Sequence, residues 1–442
     1  MKLFKFQTYT NLLIDLKFAI GILLMLAMCS ALGSVIEQDQ STIFYQETYS
    51  SLHPIYGFIN ADFILLFGLD HVYTTWWFLL LIFLLALCLI ACSFTRQFPT
   101  FLNSKKYFFK KKKVSFLNLA FFVQFTNFFY IKETILAKLQ TLNFYTYQKG
   151  NFLFAYKGLI GRMSPILVHI SLLVVLFGSA VGAFQNVKAQ EIIVKGELFH
   201  VQNPIKIGFL TSLPSFAARI NDFWVEYQDN RIHQFYSNVS LLDSFGHELK
   251  QQTISVNNPL RYKQIDFYQS DWNLVGVRIQ NFVQNNIYEL PLFSFQKNPK
   301  SWITWLNLST DTFTLVFDQL QNVFFIYDKS GRFIDVMNVG SFLTPSLKLI
   351  EILPSTGLLI KYDPMIQVIY FGFALLMITT FFSYFSFTQF WVFTRRSSSF
   401  LGCFTNRGKI QVEVEFENLL RFSENLLRLW FLNSFYEKKQ DV

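Results

Sequence analysis

Six histidines and four cysteines (Cys29, Cys88, Cys92, Cys403) are the side chains with the most chemistry to offer. Only one histidine, His169, lies inside an apolar run long enough to cross a bilayer, Ser164 to Phe184, SPILVHISLLVVLFGSAVGAF. A helix of about 20 residues rises roughly 30 Å, the thickness of a hydrocarbon core. An imidazole in that setting costs free energy unless it is paired, faces a protein interior or binds something, which makes His169 the first functional candidate. A neutral imidazole in a dry site is a natural ligand for a metal or a haem iron. The competing reading is a polar residue hydrogen-bonded within a helix bundle.

His71 is the second candidate, at the mouth of another apolar run in LDHVYTTWWF, beside Trp76 and Trp77. Tryptophans at a membrane interface are the ordinary aromatic belt, so the case for His71 is weaker. His53 shares the short polar stretch before it, and His200, His233 and His247 read as solvent-facing loop residues. Cys88 and Cys92 are four apart, share a helical face and read as small apolar packing residues. There is no P-loop, no Gly-rich dinucleotide turn, no paired-cysteine zinc pattern and no Gly-x-Ser-x-Gly elbow, so no catalytic residue is assigned.

These side chains must be positioned by a membrane protein. The chain has 442 residues, 52% of them hydrophobic and only 15% charged, against about 25% charge in soluble domains. The 55 phenylalanines, with abundant Lys, Asn, Ile and Tyr, suggest an AT-rich coding genome such as a plastid's. A net charge of +9 could point to nucleic acid, but its distribution fits membrane topology instead, and no nucleic-acid partner is expected. The cysteines sit in or beside apolar runs or in the tail, so no disulfide framework is implied.

Four spans are expected, at 18–35, 76–93, 164–184 and 365–386. The first follows a short N-terminus (1–17); MCSALGS offers the small residues of a signal-peptide cleavage site, but a run of about 18 residues followed by the polar IEQDQ reads as an uncleaved span. The segment 36–75 carries acidic residues and no Lys or Arg between positions 37 and 73, whereas 94–163 is rich in lysine and includes the run Lys110 to Lys113. By the positive-inside rule, 94–163 and the tail 387–442 face inward, and 36–75 and 185–364 face outward. The lysine run reads as an orientation signal attracted to anionic lipid.

The outer region 185–364 has short runs of β-branched and aromatic residues, among them Glu191 to Val194, Asp222 to Tyr227, Phe235 to Leu242 and Gly276 to Ile279. Turn signals separate them at Asp229-Asn230, Gly246, Asn257-Asn258-Pro259, Asn298-Pro299 and Ser330-Gly331. This predicts an antiparallel, sandwich-like β domain. In the inner loop, Ile131 to Leu142 reads as a helix, and Asn143 to Tyr147 and Phe152 to Tyr156 as a hairpin. In the tail, Ile410, Val412, Val414 and Phe416 alternate as in a strand, and 417–436 reads as an amphipathic helix. The fold class is therefore a polytopic α-helical membrane protein with four transmembrane helices, a large β-rich lumenal domain and a small inner α/β unit made by loop and tail.

Several stretches together resemble the ResB/CcsB family of cytochrome c biogenesis proteins of the haem-ligation pathway called system II, in its plastid and cyanobacterial branch. They are LLIDLKFAIGILLMLAMCSALGSVIEQDQ (12–40), LDHVYTTWWF (69–78), SPILVHISLLVVLFGSAVG (164–182), DFWVEY (222–227), QFYSNVSLLD (234–243), VNNPLRY (256–262), FYQSDW (267–272) and YDPMIQVIYFGFALLM (362–377). The resemblance covers the chain apart from the inner loop and extreme tail, and rests on the order and spacing of these stretches. Where the family commonly has a His in the VN-x-PL motif this chain has Asn258, so that position is given no ligand role.

The resemblance implies a subunit of a haem-ligation complex in a plastid thylakoid membrane, or in a cyanobacterial or bacterial one, with the large domain in the lumen. A CcsA-type membrane protein would be the partner, apocytochrome c the recipient and haem the transient cofactor. The family's membrane-embedded histidine falls on His169, a candidate axial ligand whose only metal would be haem iron; a second imidazole would come from the partner. Two other classes fit the topology: a structural scaffold for the partner without direct ligation, and a solute channel or transporter, against which stands the absence of internal repeats and paired broken helices.

Overall fold

The computed structural model describes residues 11–49, 60–126, 131–202, 204–211, 216–228, 231–295, 298–307, 312–318, 323–395 and 398–423. Four long apolar helices are present: Leu16–Val35, Trp76–Lys105, Ile160–Gln185 and Ile366–Ser383. Each is long and apolar enough to cross a membrane. All of them keep large side chains such as Met28, Phe83, Phe177 and Phe381 exposed along their length. Such surfaces suit lipid rather than water. The third helix begins at Ile160, and Pro165 lies within it. The second is not uniform. An α-helix over Trp76–Cys92 passes through a π-helical turn, Ser93–Gln97, into a further α-helix, Phe98–Lys105.

The chain divides into two compact units: residues 1–32, 75–180 and 367–442, and residues 33–74 and 181–366. In the first unit the third and fourth helices touch closely. A Cβ on Gly372 would lie 2.7 Å from Val175 Cγ2, and Ser164 Oγ donates to Thr379 O at 2.7 Å. Small residues and buried hydroxyls bind helices in lipid, where apolar side chains alone give no preference for a neighbour.

The same unit holds a five-stranded antiparallel sheet whose strands come from both the loop and the tail. Its order is Phe121–Thr126, Ser398–Thr405, Thr388–Arg395, Phe152–Lys157, Tyr145–Lys149. The expected hairpin is there, turning at Gly150 and Asn151 with Gly150 at φ 51°. Alternate side chains serve opposite faces. On one face Leu153, Ala155, Phe390, Val392, Leu401 and Cys403 pack against the helix Ile131–Thr141 and against Val412, Phe416 and Leu419. On the other, Phe154, Tyr156, Trp391 and Phe400 meet Phe116.

The tail corrects one expectation. Residues 410–416 are not a strand but part of a helix over 409–423. Val412 and Phe416 are buried while Ile410 and Val414 are 80% and 54% exposed, so the four apolar residues are divided by helical spacing, one pair facing the core and one facing out. The tail's strands lie earlier, at Thr388–Arg395 and Ser398–Thr405. The rest of the anticipated helix, 424–436, lies outside the described residues.

The second unit is β-rich and antiparallel throughout its named strands, as expected. Two long strands, Ile265–Asn281 and Leu347–Tyr362, pair along nearly their whole length with three register shifts. One end of this ribbon packs Ile265, Phe267, Leu358 and Ile360 against a four-stranded sheet bearing Ile220, Val239 and Ile254. The other end packs Leu274, Val277, Leu349 and Ile352 against a five-stranded sheet bearing Trp302, Leu315 and Phe324. The domain is thus two sandwich-like lobes sharing one ribbon. Asn298-Pro299, expected as a turn, opens the strand Asn298–Asn307, with Asn298 opposite Phe295. Asp229-Asn230 lies outside the described residues.

Candidate functional site around His169

The π-turn of the second helix and the third helix meet at His169. The Nδ1 atom of His169 lies 3.0 Å from Ser93 Oγ and 3.3 Å from the carbonyl oxygen of Leu89, and its Nε2 lies 3.0 Å from Gln97 Nε2. Ser93 Oγ itself donates to Leu89 O at 2.7 Å. These contacts define the tautomer. The Leu89 carbonyl can only accept, and the Ser93 hydroxyl spends its proton on that carbonyl, so Nδ1 carries the hydrogen. Nε2 then holds a lone pair, which accepts an N–H of the Gln97 carboxamide. The ring is neutral, half-buried and hydrogen-bonded at both nitrogens.

The geometry depends on the π-turn. The N–H of Phe98 bonds to Ser93 O, five residues back, inserting one extra residue into the turn. Single π-turns of this kind occur often at functional sites. Here the turn sets Ser93 and Gln97 at opposite ends of one imidazole. The arrangement is incomplete at one atom: Gln97 Oε1 is buried without a hydrogen-bond partner. A buried acceptor left unpaired costs about 1–3 kcal/mol.

A second unpaired atom lies on the third helix, the one that carries His169. Arg162 Nε is buried without a partner, and the guanidinium lies over the rings of Phe387 and Phe404 at 5.3 and 6.0 Å. Arg162 precedes His169 by seven residues, two helical turns or about 10 Å along the axis, so the spacing sets both on one face.

His71 belongs to the other unit. It lies in a short 3₁₀ segment, Leu69–Thr74, with its side chain 48% exposed and its Nδ1 2.9 Å from Asp70 Oδ1. That approach is close without hydrogen-bond geometry, since Asp70 Oδ1 is buried and accepts no hydrogen bond. The turn is built by Gln38, whose amide donates to Leu69 O at 2.9 Å and accepts from Val72 N at 3.0 Å. Asp39 N adds a bond to Asp70 O at 2.8 Å, and the Asp39 carboxylate is paired with Lys206 at 3.2 Å.

The remaining histidines are His200, His233 and His247, all exposed, while His53 lies outside the described residues. Among the described residues no group of three or more His, Cys, Asp or Glu side chains converges. All four cysteines are free. Of the lysine run, Lys110 packs over an aromatic ring. Burial against Trp391, whose ring centroid is 4.8 Å from Nζ, pushes its pKa down.

Sequence reasoning singled out His169 but not its contacts Ser93 and Gln97, nor the buried Arg162. The available signal was a Ser and a Gln four apart at the end of an apolar run, the spacing at which two helical side chains reach the same neighbour.

Residues 16–300 match the family model described as ResB-like family. Together with the four apolar helices and the β-rich domain, this places the chain among polytopic membrane proteins of that kind: it belongs to the ResB-like family. Its curated relatives include the cytochrome c biogenesis protein Ccs1 of Phaeodactylum tricornutum, 42% identical over 94% of this chain and 100% of the relative. The protein of the same name from Thalassiosira pseudonana is 40% identical over 92% of this chain and 98% of its own length. That of Porphyra purpurea is 39% identical over 92% and 94% respectively.

Proposed function

We propose that this chain serves c-type cytochrome biogenesis as a membrane subunit that holds haem through His169 while it is passed to apocytochrome c. Support comes from membership of the ResB-like family, from relatives named as cytochrome c biogenesis proteins, and from the chemistry of the His169 site. The single observation that carries the reading is the tautomer. With Nδ1–H donated to Ser93 and the Leu89 carbonyl, Nε2 is the nitrogen with a lone pair, as a ligating imidazole requires.

The residues present fit a haem. His169 would supply a ligating nitrogen, and Arg162 a guanidinium whose buried Nε has no partner among the described residues, for an acidic group such as a propionate. The apolar faces of the spanning helices would limit access of water, which tunes potential and slows loss of the ligand. Haem brings the redox-active iron and the porphyrin substituents that a c-type cytochrome needs. This chain's part is to bind, orient and shield. With no other histidine in the spanning segments, a further ligand would come from a partner, a CcsA-type membrane protein. The charge pattern sets the basic loop and tail inward and the β-rich domain outward, in the lumen of a plastid thylakoid, in keeping with algal relatives. On that face the domain holds the apocytochrome or caps the site.

A second reading has its own observation. Both His169 nitrogens are already hydrogen-bonded within the protein, as in a residue that only ties two helices together while the chain scaffolds its partner. Replacement of His169 by Ala and by Cys, with and without added imidazole, separates the two. Ligation predicts loss of the haem absorption bands and of c-type cytochromes in both variants, with recovery in imidazole. Full haem content in both variants would leave the scaffold reading standing.

A further inference from the structure

We propose that Gln97 is a latch on His169: its carboxamide occupies the one nitrogen an iron would bind, and it must swing off before haem is held and back on when haem leaves. The inference rests on the haem reading of His169 above. Its basis is a competition for a single electron pair. Nδ1 is committed as a donor to Ser93 and Leu89, so the only lone pair of the neutral ring is on Nε2, and the Gln97 N–H, 3.0 Å away, now receives it. Iron and Gln97 cannot use that pair together.

Three features fit a group that lets go. The latch is weakly held, because the same carboxamide leaves Oε1 buried without a partner. It sits on the π-turn Ser93–Gln97, where the helix departs from α geometry. And it acts on one nitrogen only. Ser93 and Leu89 hold the ring orientation from the other side, so release of Gln97 presents Nε2 without turning the ring. A ligand that must deliver its haem gains from such a competitor, because the returning amide disfavours rebinding. Ser93 and Gln97 therefore divide the labour: one aims the ring, the other limits how tightly it binds.

The test uses the full-length chain in lipid nanodiscs, titrated with haemin and followed by absorbance, with ¹⁵N spectra of histidine-labelled protein recorded before addition. Gln97→Leu keeps the bulk of the side chain and removes the donor. It is expected to bind haemin more tightly, roughly three- to tenfold, and to shift the His169 Nε2 resonance toward that of an unbonded acceptor. Ser93→Ala leaves Nδ1 with the Leu89 carbonyl alone and is expected to weaken binding by a similar factor. A merely structural role for Gln97 would make its loss weaken binding or leave it unchanged, and that result overturns the latch while the haem reading survives. If neither wild type nor Gln97→Leu binds haemin, or if His169→Ala binds as well as wild type, the latch falls together with the reading beneath it.

Discussion

His169 and His71 are the same side chain in two different settings. His71 has half of its surface in solvent, so water can satisfy its second nitrogen and the protein supplies only a neighbouring carboxylate. His169 lies in a helix surrounded by apolar side chains, and its two nitrogens are met by Ser93, Leu89 and Gln97, all from one stretch of the second helix. An imidazole excluded from water must have its polar atoms paired by the protein, and that need brings together a defined tautomer, an oriented ring and a competitor for the lone pair. Residue type alone distinguishes neither site; the demand for partners does.

The largest expected effect tests that contrast directly. His169→Ala is expected to abolish haem retention and c-type cytochrome assembly, whereas His71→Ala leaves haem content of the purified protein within experimental error, as a half-exposed side chain that belongs to no group of three or more ligating side chains among the described residues should. Equal losses from the two variants would break the comparison. A smaller effect is expected at Arg162. Arg162→Leu removes a guanidinium whose Nε has no hydrogen-bond partner among the described residues and should weaken haemin binding roughly tenfold without loss of fold stability, because a charge-assisted hydrogen bond to a carboxylate is worth that much. An unchanged affinity would assign Arg162 to its stacking on Phe387 and Phe404 alone.

Next in size is the turn that carries His71. Gln38 closes it by donating to the Leu69 carbonyl and accepting from the Val72 N–H, and Gln38→Leu removes both bonds. The cost should be about 1–3 kcal/mol, read as faster amide exchange at Val72 with no change in the His169 spectrum. Exchange unchanged at Val72 would mean that the bond from Asp39 N to Asp70 O holds the turn by itself.

The apolar helices and the β-rich domain were legible because each follows from local composition, long apolar runs and short β-branched runs between turns, and His169 stood out as the one histidine in such an apolar run. The partners of His169 were not. Ser93 and Gln97 lie 76 and 72 residues away in sequence, and their convergence needs a π-turn that no local pattern announces. The tail failed for another reason. Ile410, Val412, Val414 and Phe416 fit period two, but Val412, Phe416 and Leu419 also fit the helical period, and the core of the five-stranded sheet selected that second set. Periodicity over seven residues could not decide between them, and tertiary packing did.

The smallest expected effect extends the comparison to an exposed histidine and the partly exposed carboxylate beside it. Asp243 accepts from the backbone N–H groups of Phe245 and His247 at 2.9 and 2.8 Å, and lies 3.2 Å from His247 Nδ1. Partial desolvation pushes its pKa up, but these donors and the imidazole outweigh it, so the carboxyl is held below its usual value. A carboxyl depressed in the folded state favours folding above the unfolded pKa of about 3.9, and that contribution disappears as pH falls through the folded value. Acidification below about pH 4 should therefore speed amide exchange at Phe245 and His247, and Asp243→Asn should remove that pH dependence. The Gln97 and Ser93 contacts to His169 involve no carboxylate and should not follow it. A parallel change at His169 would show that the two histidines respond to acid through one shared transition rather than through their own neighbours.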